Sequence, residues 1–297
     1  MNWQERMEAA VEYLERHLEG DIDYGRAAAA ANCSTFHFLR MFAVVTDVTA
    51  GEYVRRRRLS LAAVELASGE EKVIDLALRC GYESPDAFAK AFKREFGVTP
   101  SEARSGGVGL KTWPRLGFSV VLKGDIPMEY RIEKRGEMPM TGLSLTTKMD
   151  EGANLREIPA FWQRCNGDGR TAALERAMPK DTKLGIMGIC MNDFDEKTKT
   201  FSYVVGIERP VDEAGRAALP AGCVEFVVPA AAWAVFPAHG PMPNAIQDVW
   251  KRIYAEWYPS SGYEHAGGPE LEVYAPGDPG AADYYSEVWI PVKKAGS

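Results

Sequence analysis

The chain has 297 residues, 46% hydrophobic and 26% charged, which is ordinary for a folded globular protein. At about 100–200 residues per domain this predicts two domains, each long enough to bury a core. The net charge of −7, from 35 basic and 42 acidic residues, excludes a polycation, so any nucleic-acid role must come from a local basic patch.

The most apolar stretch, Cys223–Phe236, spans 14 residues and contains Glu225 and Pro229. A bilayer span needs about 20 apolar residues, so no membrane segment is predicted. The opening Met1-Asn2-Trp3-Gln4-Glu5-Arg6 has no apolar signal core, and a cytoplasmic setting is expected. Five widely spaced cysteines, at 33, 80, 165, 190 and 223, form no CxxC pair and predict free thiols in a reducing compartment. The four histidines, at 17, 37, 239 and 265, are never one helical turn apart, so neither metal nor cofactor is expected.

The first 105 residues read as helix. Trp3, Met7, Ala10, Val11, Leu14 and Leu18 recur at helical spacing, five glutamates cover the other face, and Gly20 stops the element. Helical texture resumes over Tyr24–Ala31 and breaks at Asn32-Cys33; Ser34 then caps a helix to about Val45. A long helix follows from Ala50 to Ser68, ended by Gly69. Val73–Arg79 is short and apolar, Gly81 turns the chain, and Ser84 caps a helix through Phe96. Short helix, turn, capped helix thus occurs twice, a duplicated helix-turn-helix.

Ser105-Gly106-Gly107-Val108-Gly109 is a flexible break. Sixteen of the eighteen prolines and six of the seven tryptophans follow it. The predicted organisation is therefore a domain over residues 1–105, a linker over 106–125 and a second domain over 126–297, with the halves folding separately. In the second domain, strands are predicted at Met128–Lys134, Leu143–Thr147, Gly185–Asn192, Thr200–Glu208, Cys223–Val228, Ala231–Phe236, Glu270–Tyr274 and Tyr284–Pro291. Helices are predicted at Asn154–Cys165 and Asn244–Glu256. Two similar strand-helix-strand-strand halves imply an α+β domain with a pseudo-twofold repeat, beside an all-α first domain.

The most informative stretch is Ile74–Glu102. Phe88, Phe92 and Phe96 recur every four residues and share a packed face, whereas Asp86, Ala89, Lys90 and Lys93 lie on another. The second helix can therefore offer a polar, basic face to a major groove. Residues 1–106 carry 14 basic and 17 acidic groups, but seven of the acids lie between Glu5 and Asp23. Residues 24–66 hold six arginines against three acids, so the phosphate-facing surface must exclude the first helix.

The glycine turn, the F-x3-F-x3-F-G run and the closing Thr99-Pro100-Ser101-Glu102 together resemble the AraC-type transcription regulators, over residues 1–104 in order and length. The segment Gly51–Leu59 is similar to that family's connecting helix. The resemblance implies that two recognition helices enter adjacent major grooves of double-stranded DNA. It places base-facing positions at Phe36, Leu39 and Arg40 in the first, beside Thr35, and at Pro85, Asp86, Ala89 and Lys90 in the second, beside Ser84, Lys93 and Arg94. Arg55 and Arg56 are expected phosphate contacts. Leu39, Ala43-Val44-Val45 and Asn32 depart from the family pattern, which usually has a glycine in place of Asn32.

Residues 126–293 resemble the GyrI-like effector domain. The resemblance rests on Met128–Glu133, Ala234–Pro241, Ile253–Glu264, Glu270–Tyr274 and Tyr285–Val292. It implies a concave groove lined by aromatics with an acidic residue in its floor, here Glu272, with Glu287 in reserve. Glu270, Glu272 and Tyr274 share a strand face. Phe161, Trp162, Tyr203, Trp233, Tyr258 and Trp289 are the candidate walls. A carboxylate among aromatic rings suits an organic cation.

The expected function is a ligand-responsive regulator that binds DNA and a small, cationic aromatic effector, and acts on DNA affinity or on recruitment of RNA polymerase. No catalytic residue is expected: no G-x-S-x-G motif accompanies His239, which reads as a loop histidine. Two alternatives stay open here, a small-molecule hydrolase with Glu272 activating water, and a protein-sequestering module.

Overall fold

The computed structural model describes residues 3–69, 71–106, 108–117, 127–149 and 152–295. They form two compact units, the first within residues 3–117, residues 44–47 apart, and the second over residues 127–295. Among the described residues no helix is long and apolar enough to cross a membrane.

The first unit holds seven helices among its described residues: α1 (Trp3–Arg16), α2 (Tyr24–Ala30), α3 (Thr35–Thr46), α4 (Ala50–Ser68), α5 (Val73–Arg79), α6 (Pro85–Phe96) and α7 (Pro100–Arg104). The duplication extends to the hydrogen bonds of the turns. Cys33 N–H bonds Ala28 O at 3.1 Å after α2, and Tyr82 N–H bonds Ala77 O at 2.9 Å after α5. Asn32 to Ala29 and Gly81 to Leu78 repeat the same step at 3.0 and 2.9 Å. Both turns need a left-handed residue, and Asn32 at φ 55° does what Gly81 does at φ 79°. The departure at Asn32 is therefore conservative, because asparagine tolerates that region better than most side chains. At Gly81 a Cβ would also come within 3.0 Å of Arg58 Nη1. Ser34 and Ser84 cap α3 and α6, each accepting an N–H at 3.2 Å.

Leu59, Ala62, Ala63 and Leu66 of α4 pack with Leu76 and Ala77 of α5, Phe88 and Phe92 of α6, and Ala103 of α7. Residues 108–117, read from sequence as linker, are part of this unit. Trp113 donates its indole N–H to Glu95 at 2.7 Å and its backbone N–H to Ser60 Oγ at 2.9 Å. Leu116 N–H reaches the Tyr53 hydroxyl at 3.2 Å, and Arg115 pairs with Glu12 at 2.6 Å. Residues 107 and 118–125 of the expected linker lie outside the described residues.

Among its described residues the second unit is built on one antiparallel sheet of nine strands: β1 (Arg131–Arg135), β2 (Met138–Lys148), β3 (Ile186–Cys190), β4 (Thr200–Glu208), β5 (Val224–Val228), β6 (Ala231–His239), β7 (Tyr263–His265), β8 (Glu270–Tyr274) and β9 (Tyr285–Lys294). The spatial order is β1-β6-β9-β8-β3-β4-β2-β5, with β7 pairing β9. Matching β1–β4 to β5, β6, β8 and β9 makes this order read identically from either edge. The sheet thus has a pseudo-twofold centre between β3 and β8, and the first strand of each half is the edge strand beside the other half. The helices are α8 (Ala153–Gly167), α9 (Arg170–Ala177), α10 (Glu213–Ala218), α11 (Asn244–Arg252) and α12 (Tyr258–Ser261), with a π-helical turn at Ile253–Trp257.

The predicted helix at Asn244–Glu256 thus changes from α to π after Arg252. Sequence reading missed α9 and α10. Gly169, at φ 80°, opens α9, whose buried residues are only Thr171, Leu174 and Ala177, and α10 buries none, so neither carries an apolar stripe.

Candidate functional site

In the first unit the N-terminal serine cap and Pro85 at the first helical position start α6 where the turn releases the chain. Burying Phe88, Ala91 and Phe92 turns the opposite face outward, so Pro85, Asp86, Lys90, Lys93 and Arg94 are exposed, with Ala89 at the margin. Residues 86, 90 and 93/94 fall on one stripe, carrying three cations against one carboxylate. On α3, Thr35 is the first helical residue and Arg40 is part-exposed. Phe36 and Leu39 are buried at 4% and 9% exposure. Neither apolar side chain can hydrogen-bond a base edge, so of the three α3 positions expected from sequence to face bases only Arg40 carries a hydrogen-bond donor.

The arginine run of α4 is engaged by carboxylates and carbonyls. Arg55 pairs with Glu52 at 2.6 Å and Glu95 at 3.1 Å. Arg56 shares Glu52 at 2.6 Å and lies 4.2 Å over the Trp113 ring. Arg57 makes two bonds to Glu15, both 2.8 Å, and Arg58 donates to Leu18 O at 2.6 Å and to Gly20 O. Sequence distance hid these partners: Glu15 and Glu95 lie about forty residues away on either side.

In the second unit the middle pair of the β3–β8 register is Gly188↔Glu272, at the pseudo-twofold centre. Glu272 Oε1 accepts the Trp250 indole N–H at 2.7 Å, and Oε2 accepts the Tyr274 hydroxyl at 2.7 Å. Trp162 donates to the Tyr203 hydroxyl at 2.8 Å and meets Tyr274 edge-on at 5.3 Å. Burial, then the adjacent Glu272 carboxylate, holds the Tyr274 phenol well above its ordinary value of 10, so it remains a donor. Gly188 lets the Tyr203 hydroxyl approach the sheet here, because a Cβ there would overlap that hydroxyl and lie 3.4 Å from Glu272 Oε2.

A second acid, Glu270, is buried on the same strand face and accepts the Tyr254 hydroxyl at 3.3 Å. The match has a geometric cause: four residues of helix rise about 6 Å, close to the about 6.7 Å of two strand residues. Trp250 and Tyr254 therefore address Glu272 and Glu270 in parallel. Trp250, Tyr254 and Tyr258 stack in sequence at 5.8 and 5.7 Å, within 18° of coplanar. Trp250, Tyr254 and Gly188 were not singled out from sequence. The signal was present in the four-residue spacing of the three rings and in the central position of Gly188 on its strand.

Of the expected wall residues, Trp162, Tyr203 and Tyr274 meet at Glu272, while Tyr258 ends the stack. Phe161 is buried on α8 with Cys165, one turn on. Trp233 and Trp289 are corrections. Trp289 pairs with Leu271 and Val235, so it stands on the sheet face opposite Glu272, and Trp233 shares that face. Both are core there, packed with Met187, Ile189, Leu271 and Val273. Glu287 faces the same opposite side, where Arg131 grips it at 2.8 and 3.2 Å, so it is no reserve for the Glu272 site. His239 ends β6 and lies 5.2 Å from the Tyr285 ring, rather than in a loop. All five cysteines are free, and burial pushes Cys33 up to about 12 and Cys80 up to about 11, so neither is a thiolate at neutral pH.

Residues 128–293 match the GyrI-like small molecule binding domain, and residues 27–106 match a helix-turn-helix domain. The chain belongs to the GyrI-like family. Its GyrI-like domain is joined to an AraC-type DNA-binding domain, the pairing of a transcription regulator. Regulatory protein SoxS of Salmonella typhimurium is 38% identical over 104 residues, which is 35% of this chain and 97% of that protein. The right origin-binding protein of Escherichia coli (strain K12) is 30% identical over 165 residues, 54% of this chain and 56% of that protein. A crystal structure of a bacterial transcription regulation protein from Staphylococcus aureus MU50 is 24% identical, with a TM-score of 0.47, covering 56% of this chain and 99% of that chain.

Proposed function

We propose that this chain is a one-component regulator in which an aromatic cation, bound at Glu272, alters how α3 and α6 engage adjacent major grooves or recruit RNA polymerase. The observation that carries the reading is the Glu272 carboxylate at the sheet centre. It accepts hydrogen bonds from the Trp250 indole N–H and the Tyr274 hydroxyl, and stands opposite a glycine. An organic cation placed there gains charge pairing and ring-face attraction together, both strengthened by a low local dielectric.

The test is a tryptophan-fluorescence titration with 2-naphthyltrimethylammonium and its neutral isostere 2-tert-butylnaphthalene. Glu272→Gln keeps the shape and removes the charge. It is expected to weaken the cation about tenfold or more and the neutral compound by less than twofold. Equal losses for both compounds would remove Glu272 from the site. Hydrolysis of 2-naphthyl acetate to 2-naphthol and acetate, lost in Glu272→Gln, would make the domain a hydrolase.

For DNA, Arg40→Ala and Lys90→Ala are each expected to weaken binding to a selected operator by about 1–3 kcal/mol with loss of sequence discrimination. Lys93→Ala or Arg94→Ala should weaken all duplexes alike and reduce the salt slope by about 0.9. Arg55→Ala and Arg56→Ala should move the salt slope less, because both guanidiniums already face Glu52 and Glu95. Gel-shift titrations across a salt series separate these outcomes. Unchanged affinity in both Arg40→Ala and Lys90→Ala would overturn the docking.

A further inference from the structure

Residues 108–117 belong to neither matched domain, since one match ends at residue 106 and the other begins at residue 128. They contain no helix or strand, yet they lie across three helices of the first unit. Trp113 is the anchor. Its backbone N–H donates to Ser60 Oγ on α4 at 2.9 Å, and its carbonyl accepts from Arg57 Nη1 at 2.7 Å. Its indole N–H donates to Glu95 on α6 at 2.7 Å, and its ring centre lies 4.2 Å from the Arg56 guanidinium carbon. Every polar group of Trp113 is therefore used. Further on, Arg115 pairs with Glu12 on α1, and Leu116 N–H donates to the Tyr53 hydroxyl on α4.

Burial does not account for this placement. Trp113 is 43% exposed, while Phe88 and Phe92 already supply the apolar packing of α6 on α4. Apolar contacts fix how deep α6 sits, but they are non-directional and hold its rotation about its own axis only loosely. Rotation decides how Lys90, Lys93 and Arg94 stand on the exposed side, and a recognition geometry tolerates errors of only about 0.5 Å and 10–20°. Glu95 supplies the missing direction, because a hydrogen bond weakens steeply with angle. Its side chain is only 10% exposed and follows the buried Ala91 by one helical turn, on the side of α6 that meets α4. Arg55 holds its Oε2 at 3.1 Å and the Trp113 indole holds its Oε1, a grip at two points.

We propose that residues 108–117 form a clasp that sets the rotation of α6 on α4 for DNA reading, with Trp113 as the positioning residue, acting through Glu95. The role of Trp113 rests on the reading of α6 as a helix that enters the major groove. Sequence discrimination then depends on a segment that lies outside the helix-turn-helix domain itself.

The experiment uses the full chain and two duplexes in gel-shift titrations, one selected from a random pool by the wild type and one of scrambled sequence. Trp113→Phe keeps an aromatic ring against Arg56 and both backbone bonds, and removes the N–H that reaches Glu95. It is expected to weaken the selected duplex about fivefold and the scrambled one by less than about twofold. The melting temperature of the first unit should stay within about 2 °C. In a Glu95→Ala background the same change should have no further effect, because the bond it removes is already gone. Unchanged discrimination in Trp113→Phe would overturn the proposal, as would equal losses with and without Glu95. Trp113 is exposed, so Trp113→Phe decides the matter alone if Glu95→Ala fails to fold. Lys90→Ala, run beside them, separates the clasp from the docking of α6. Discrimination lost in Lys90→Ala but kept in Trp113→Phe overturns the clasp alone, and discrimination kept in both overturns the docking as well.

Discussion

Replacing Phe92 with alanine is expected to remove about 3–5 kcal/mol from the first unit and leave the second unit as it was. Phe92 is fully buried, 5.7 Å from the Phe88 ring and 4.7 Å from Phe96, in the cluster that joins α4, α5, α6 and α7. The loss combines the transfer energy of the ring with the cavity it leaves, and a domain of this size has only about 5–15 kcal/mol in total. DNA binding should fail with it, because burial of Phe88 and Phe92 is what turns Lys90 and Arg94 outward. The second unit has its own core of Met187, Val204, Trp233, Leu271 and Trp289. Scanning calorimetry of the full chain should therefore show one transition falling while the other stays, with naphthyltrimethylammonium affinity retained. Both transitions falling together by the same amount would show a single cooperative block.

Glu287→Ala is expected to cost the second unit about 3 kcal/mol. The side chain receives four hydrogen bonds, from Arg131, Tyr285 and Trp289, and the buried Trp289 N–H and the Arg131 charge both lose their acceptor. Burial opposes ionisation of Glu287, yet hydrogen bonds from Arg131, Tyr285 and Trp289, with the Arg131 charge, hold it below its ordinary 4.5. The unfolded chain thus takes up the proton more readily than the native one. The stabilisation is present above about pH 4.5 and is lost as pH falls through the lower native value. Melting temperatures of wild type and Glu287→Gln should differ at pH 6 and converge toward pH 3. A gap that stays constant with pH would assign the loss to packing instead.

Local rules made the helical unit legible, because its chemistry repeats at short range. Thr49 and Gly69 bound α4, Ser84 and Gly97 bound α6, and each signal lies beside the element it ends. Strand alternation likewise placed Glu272 and Tyr274 together. It could not place Trp289, since alternation says which residues of one strand share a face but not which face of the next strand they meet. That depends on the register Leu271↔Trp289, a long-range fact. The arginine run was misleading for the same reason: four adjacent cations look like a phosphate surface until Glu15, Glu52, Glu95 and the carbonyls of Leu18 and Gly20 are in place. The glycines at 106 and 109 suggested a free linker, but Trp113, a few residues on, docks on Ser60 and Glu95.

The exchanged edge strands bear on how the Glu272 site could arise. β1 pairs with β6 and β5 pairs with β2, so a polypeptide carrying one half alone would have unpaired sheet edges and would complete itself only with a second copy. In such a homodimer the residue at the twofold centre faces its own twin. Two glutamates there would repel, and two glycines would leave a hollow with no charge. Gene fusion lifts that constraint. Once both halves lie on one chain, the two central positions can diverge, and here one is Gly188 and the other Glu272. The fused pair holds a single carboxylate opposite a glycine whose side-chain space the Tyr203 hydroxyl fills, an unsymmetrical centre that no symmetric homodimer could carry.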